Sequence, residues 1–164
     1  MQIRNYLWTI LFFTFVLFTS SCFAQESNKN QNYSIAPNDD VIKSIKALHK
    51  NPVKELARLD VLITSQSTSS KLPEWQYVSA LGYEKLGQRE KASALLQSCL
   101  NNTSTSPLLQ NRAKLLKAKL LSFSGDKQAA ISLLKDVLSW SDSQGIIQLK
   151  IGALMTMGTI FESM

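Results

Sequence analysis

The sequence is poor in the side chains from which most catalytic and metal centres are assembled. One histidine, His49, and two cysteines, Cys22 and Cys99, serve all 164 residues. Zinc sites take about three or four His, Cys or acidic ligands at close spacings, and this inventory cannot supply the usual cluster. With Cys22 in an N-terminal segment expected to be removed or lipidated, Cys99 has no partner for an internal disulfide. The G-x-S-x-G nucleophile elbow, the G-x-x-x-x-G-K-[ST] phosphate loop and the H-E-x-x-H zinc helix are all missing. The twelve acidic residues are dispersed, and the one adjacent pair, Asp39-Asp40, stands where capping of a helix explains it. The expectation is a non-enzymatic chain with no catalytic residues, no metal and no cofactor.

Runs of one charge are also missing. The net charge of +6 comes from lysines and arginines scattered among acids, which describes a solvated surface rather than a nucleic-acid footprint. The expected partner classes therefore exclude nucleic acid.

What the sequence does have begins with a targeting pattern. Arg4 precedes an apolar run from Tyr6 to Phe18, and Ser21-Cys22-Phe23-Ala24 offers small residues before a polar stretch. Residues 1–24 are expected to be a signal peptide cleaved after Ala24, making the protein exported and, in a bacterium, periplasmic. Two alternatives stay open: a lipoprotein modified at Cys22, or an uncleaved membrane anchor, since the segment approaches the ~20 residues that span a bilayer. Residues 25–38 are polar, rich in asparagine and serine, and lack a hydrophobic period, as a disordered linker does.

From residue 39 the pattern is helical. Asn38-Asp39-Asp40 can cap a helix bearing Val41, Ile42, Ile45 and Leu48; Asn51-Pro52 breaks it and starts a second that runs through Val53, Leu56, Ala57, Val61 and Thr64. His49 falls near the end of the first, a place that favours a surface histidine. The most informative stretch is Ala80–Leu100, whose plan returns 38 residues later in Ala118–Leu138. Ala92, Leu95, Leu96, Cys99 and Leu100 match Ala130, Leu133, Leu134, Val137 and Leu138, the i, i+3, i+4, i+7, i+8 stripe of a half-buried helix. Gly87 and Gly125 mark equivalent turns. Ser67–Lys71, Asn101–Pro107 and Ser139–Gly145 read as polar loops, with Trp140 in the last of them.

These residues resemble the tetratricopeptide repeat. The resemblance implies an all-α fold of antiparallel helix-turn-helix units stacked as a short right-handed solenoid, over residues 39–164. Its parts are an atypical or capping pair (39–66), two repeats (73–100 and 107–138) and an incomplete final repeat (146–164). The implied packing residues are Ala80, Tyr83, Gly87, Ala92, Leu96 and Cys99 in the first repeat. Ala118, Leu121, Gly125, Ala130, Leu134 and Val137 occupy these sites in the second, and Gly158 and Phe161 begin the third. Departures are the missing tryptophan and leucine of helix A, the absent closing proline, and a period of 38 and then about 40 residues against the ~34 of the standard repeat. By alignment with the family, a ligand groove would be lined by Glu74, Tyr77, Leu81, Glu84 and Lys85, then by Arg112, Leu115, Lys119, Ser122 and Phe123. Arg112 and Lys119, two turns apart on one stripe, would suit an anionic peptide or protein.

The resulting expectation is an exported module that binds a protein or peptide through its concave face. An alternative is the periplasmic sensory region of a longer membrane receptor of the histidine kinase or diguanylate cyclase type, truncated here. The apolar helix from about Ile146, with no capping helix after it, is further expected to promote self-association.

Overall fold

The computed structural model describes residues 39–164, so the expected signal peptide, the linker and Cys22 lie outside the described residues. Those described form seven α-helices and no strand: α1 Asp39–Lys50, α2 Pro52–Ser65, α3 Leu72–Lys85, α4 Arg89–Asn101, α5 Pro107–Phe123, α6 Lys127–Ser143 and α7 Ile147–Glu162. The all-α class expected from the periodicity is what the described residues adopt.

Helix boundaries follow local chemistry. Asn51 caps α2 by accepting from Lys54 N–H, Ser106 caps α5 by accepting from Leu109 N–H, and Asp126 caps α6 by accepting from Ala129 N–H. Proline sits in the first turn of α2, α3 and α5, where its missing N–H costs nothing. Gly87 and Gly125, with φ of +74° and +90°, end α3 and α5. The next amide in each case reaches back to the last turn, Gln88 to Tyr83 and Asp126 to Leu121, closing a Schellman-type cap that only a left-handed residue allows.

A third such cap was not expected. Gly145, with φ of +68°, ends α6 while Ile146 N–H bonds to Ser141 C=O. The segment read as a Ser139–Gly145 loop is therefore mostly helix, and Trp140 lies within α6, partly buried against the core. The stripe simply continues: Ala130, Leu134, Val137 and Ser141 are all buried, at helical spacing, and Ser141 satisfies its hydroxyl on Leu138 C=O. A polar composition hid a half-buried helical turn.

Each helix packs on the next, and α1 meets α3, α3 meets α5 and α5 meets α7. Small residues sit where the backbones come closest. Ala80, Ala92, Ala113, Ala118, Ala130 and Ala153 are completely buried, and equivalent positions of the 38-residue match share that fate: Leu96 with Leu134, and Cys99 with Val137. Tyr83 and Leu121 are partly buried against the same clusters.

Packing singles out two helices, α2 and α7, and in α7 it corrects an expectation. In α2 the buried residues are Glu55, Leu56 and Leu59, whereas Val53 and Val61 are exposed. The helix is rotated so that the Leu56–Leu59 edge faces α3, an orientation open to Glu55 because Arg58 and Ser44 neutralise and solvate it. In α7, Gly158 and Phe161 were expected at the helix crossing. They are exposed, and the buried face is Leu149, Ala153 and Ile160. Ala153 is the crossing residue, with Gly152 beside it, because Leu115 of α5 packs there: a Cβ on Gly152 would lie 3.1 Å from Leu115 Cδ2.

Gly82 makes the tightest approach. A Cβ built on it would stand 2.8 Å from Leu48 Cδ2 and 2.9 Å from Leu56 Cδ2, both buried leucines. Gly82→Ala gains ~1 kcal/mol of helix propensity but overpacks this contact at a cost of ~1–3 kcal/mol. The expected outcome of a denaturant melt is a net loss of about 1 kcal/mol, so a stabilised variant would contradict the packing described.

Candidate functional site

The ten residues aligned to a groove lie on α3 and α5, which adjoin. Their most direct link is an ion pair, Lys119 Nζ to Glu84 Oε1 at 2.9 Å, joining the two helices through one residue from each set. Lys119 is about half exposed and Glu84 mostly covered, so the charge of Lys119 is presented to solvent with a carboxylate behind it. An exposed pair of this kind contributes little to stability, typically ~0–1 kcal/mol.

The apolar members act as spacers more than as lining. Leu81 and Tyr77 pack against both the α1–α2–α3 cluster and the α3–α4–α5 cluster, and Leu115 is held against α7. Burial pushes the Tyr77 phenol above its ordinary value, an effect the nearby positive charge of Arg112 partly offsets. Arg112 and Ser122 are partly buried, Glu74 likewise, and Lys85 is exposed.

Phe123 departs from the group. Its exposed ring carries the Arg89 guanidinium 4.7 Å from the centroid, and with Arg89, Ser93, Gln97 and Leu120 it lines a cleft of about 640 Å3 between α4 and α5. A residue at the end of α5 is turned toward α4 by this cation–π contact, worth ~0.5–1 kcal/mol at an exposed site. The structure thus pairs Glu84 with Lys119, sets Arg112 near Tyr77, and places Phe123 on another surface.

The interior sides of α3 and α5 carry unsatisfied acceptors. Gln76 Oε1 and Asn111 Oδ1, each one residue from a groove position, are buried without a hydrogen-bond partner among the described residues. Such oxygens call for a donor from water or from a ligand.

Sequence reading missed a second polar cluster. Glu55 is buried and held below the usual carboxylate range, chiefly by its hydrogen bond to Arg58, 2.5 Å away, despite the opposing effect of burial. Arg58 also donates to Ser44 at 2.8 Å, and Lys71 pairs with Asp40 at 2.6 Å across the mouth of a cleft of about 380 Å3 that Trp75 borders. The i, i+3 spacing of Glu55 and Arg58 was visible; that α1 would bury the carboxylate was not. Glu55 is matched by Arg58 and Asp40 by Lys71, so these four read as a scaffold joining α1, α2 and α3.

Cys99 is completely buried, and burial raises its thiol to about 11. It fills the small position of the α4 stripe, and its carbonyl accepts from Thr105 at 2.5 Å. His49 is exposed at the end of α1, its Nδ1 2.8 Å from Ile45 C=O. Among the described residues no three His, Cys, Asp or Glu side chains are gathered as metal ligands, and no helix is long and apolar enough to cross a membrane. No protein-family model, curated protein or solved structure matches the chain.

Tyr83 supplies a measurable marker of the α2–α3 contact. Its hydroxyl donates to Asp60 Oδ2 at 2.7 Å, and that bond to a carboxylate, with burial, raises the phenol to about 12. The folded state holds the proton more tightly than the unfolded one, so this contribution is complete below the ordinary phenol value of about 10 and is lost as pH rises toward 12. Absorbance titration at 295 nm should show a tyrosine component near 12 that disappears in Tyr83→Phe and shifts downward in Asp60→Asn. A titration unchanged by both substitutions would remove the bond.

Proposed function

We propose that this chain is an exported, non-enzymatic module of tetratricopeptide-like repeats, stacked as a short solenoid, that binds a protein or peptide along the face shared by α3 and α5. The observation that supports the reading is the Glu84–Lys119 pair at 2.9 Å: α3 and α5 adjoin, and the pair links one residue from each aligned set. Helix-pair arrays use such strips to hold extended or helical peptides. Lys119 and Arg112 supply positive charge beside the partly buried Tyr77 ring. An anionic peptide fits this chemistry, its carboxylates displacing Glu84 from Lys119. Export rests on the basic, apolar and small-residue order of residues 1–24.

The test is a fluorescence-anisotropy screen of the chain against acidic peptides, repeated with Arg112→Glu/Lys119→Glu. One charge-assisted contact contributes ~1.5–3 kcal/mol, so the double reversal should weaken a bound acidic peptide at least about tenfold. Added salt should weaken the unaltered protein as well. Equal binding by both proteins, or preference for basic peptides, would reject the anionic-ligand reading.

A further inference from the structure

The cleft between α4 and α5 holds two opposite charges that do not satisfy each other. It encloses about 640 Å3, within the ~300–1,000 Å3 of small-molecule sites, and both of its walls belong to the middle of the described fold. Arg89 and Glu90 line it together, yet neither forms a hydrogen bond or ion pair among the described residues. Successive helix residues project about 100° apart and do not face each other, so helix geometry holds the guanidinium and the carboxylate apart. Arg89 is steadied by the Phe123 ring, 4.7 Å from its guanidinium carbon. That contact uses the charge but leaves the N–H donors without an acceptor.

The far end of the cleft is already matched. Gln97, two turns along α4, donates to Asn101 Oδ1 at 2.8 Å and accepts from Lys117 Nζ at 2.6 Å. Between the ends α5 contributes an apolar wall, with Leu120 buried, Leu121 partly buried and Phe123 56% exposed. One end therefore presents a cation and an anion, and apolar surface lies beside them. A ligand with a single charge would set it against a like charge here, which is unfavourable. A ligand with both charges on one carbon meets each with its opposite and lays its side chain on the apolar wall.

We propose that the α4–α5 cleft binds a free α-amino acid with an apolar side chain. Arg89 takes the carboxylate, Glu90 takes the ammonium, and Phe123 with Leu120 and Leu121 takes the side chain. The cleft is separate from the α3–α5 face, so either assignment stands without the other.

The experiment is isothermal titration of the full chain with L-leucine, N-acetyl-L-leucine and L-leucinamide. The second ligand lacks the ammonium and the third lacks the carboxylate. The unaltered protein should bind L-leucine at least about tenfold more tightly than either, the effect of one charge-assisted hydrogen bond. Arg89→Gln should lose the preference over L-leucinamide and keep that over N-acetyl-L-leucine, and Glu90→Gln should do the reverse. Both residues are exposed, and each variant is compared across ligands, so a general loss of folding cannot imitate this crossed pattern. No binding of L-leucine to the unaltered chain would overturn the proposal, as would equal affinity for all three ligands. Variants that keep both preferences would place the ligand elsewhere and overturn it equally.

Discussion

Close approach of helix backbones at alanine is the constraint on which this structure depends. Ala80, Ala92, Ala118, Ala130 and Ala153 have no exposed surface, and around each a leucine, valine or tyrosine fills the space that the short side chain leaves. Dispersion falls steeply with distance, so a gap of even half an ångström at such a crossing forfeits much of the contact. The same closeness leaves no room for growth, as the leucine contacts facing Gly82 show. The chain meets this demand with the residue of highest helix propensity, so local preference and tertiary packing agree at the crossings.

Polar groups are arranged to keep those crossings in register. Glu55 enters the interior only in company with Arg58 and Ser44, and Tyr83 reaches over to Asp60. Removing Arg58 would strand the buried Glu55 carboxylate and cost more than this half-exposed pair contributes. These contacts therefore act as conditions on how α1, α2 and α3 can be assembled, and contribute modestly to how strongly they hold.

How much of this was legible in the sequence differs by element. The α3–α4 and α5–α6 pairs were readable because period, turn glycine and alanine all point to the same helix positions, and the burial of Leu96, Cys99, Leu134 and Val137 follows from spacing alone. The end of α6 was not, since Ser139 to Gln144 is polar and only tertiary contact makes Ser141 and Trp140 interior. In α7 the composition is apolar on all sides, so periodicity could not choose between Ala153 and Gly158 as the crossing residue; packing against Leu115 chose. Of the aligned groove, the Glu84–Lys119 link was foreseeable from register, while the diversion of Phe123 toward Arg89 needed the position of α4.

Among the described residues no helix touches another more than two places away along the chain. Nothing ties α1 to α7, and no late contact closes the whole. The α1–α3 and α3–α5 clusters share Tyr77, Leu81 and Tyr83, whereas α5 alone carries side chains into both the second and the third. Contact order is low, which favours rapid folding by local zippering. Cooperativity is passed from neighbour to neighbour, like tension along a row of linked arms, with α3 and α5 as the members holding on both sides. Under heat or a protease such a chain frays inward from its ends, and the last part to let go is its middle.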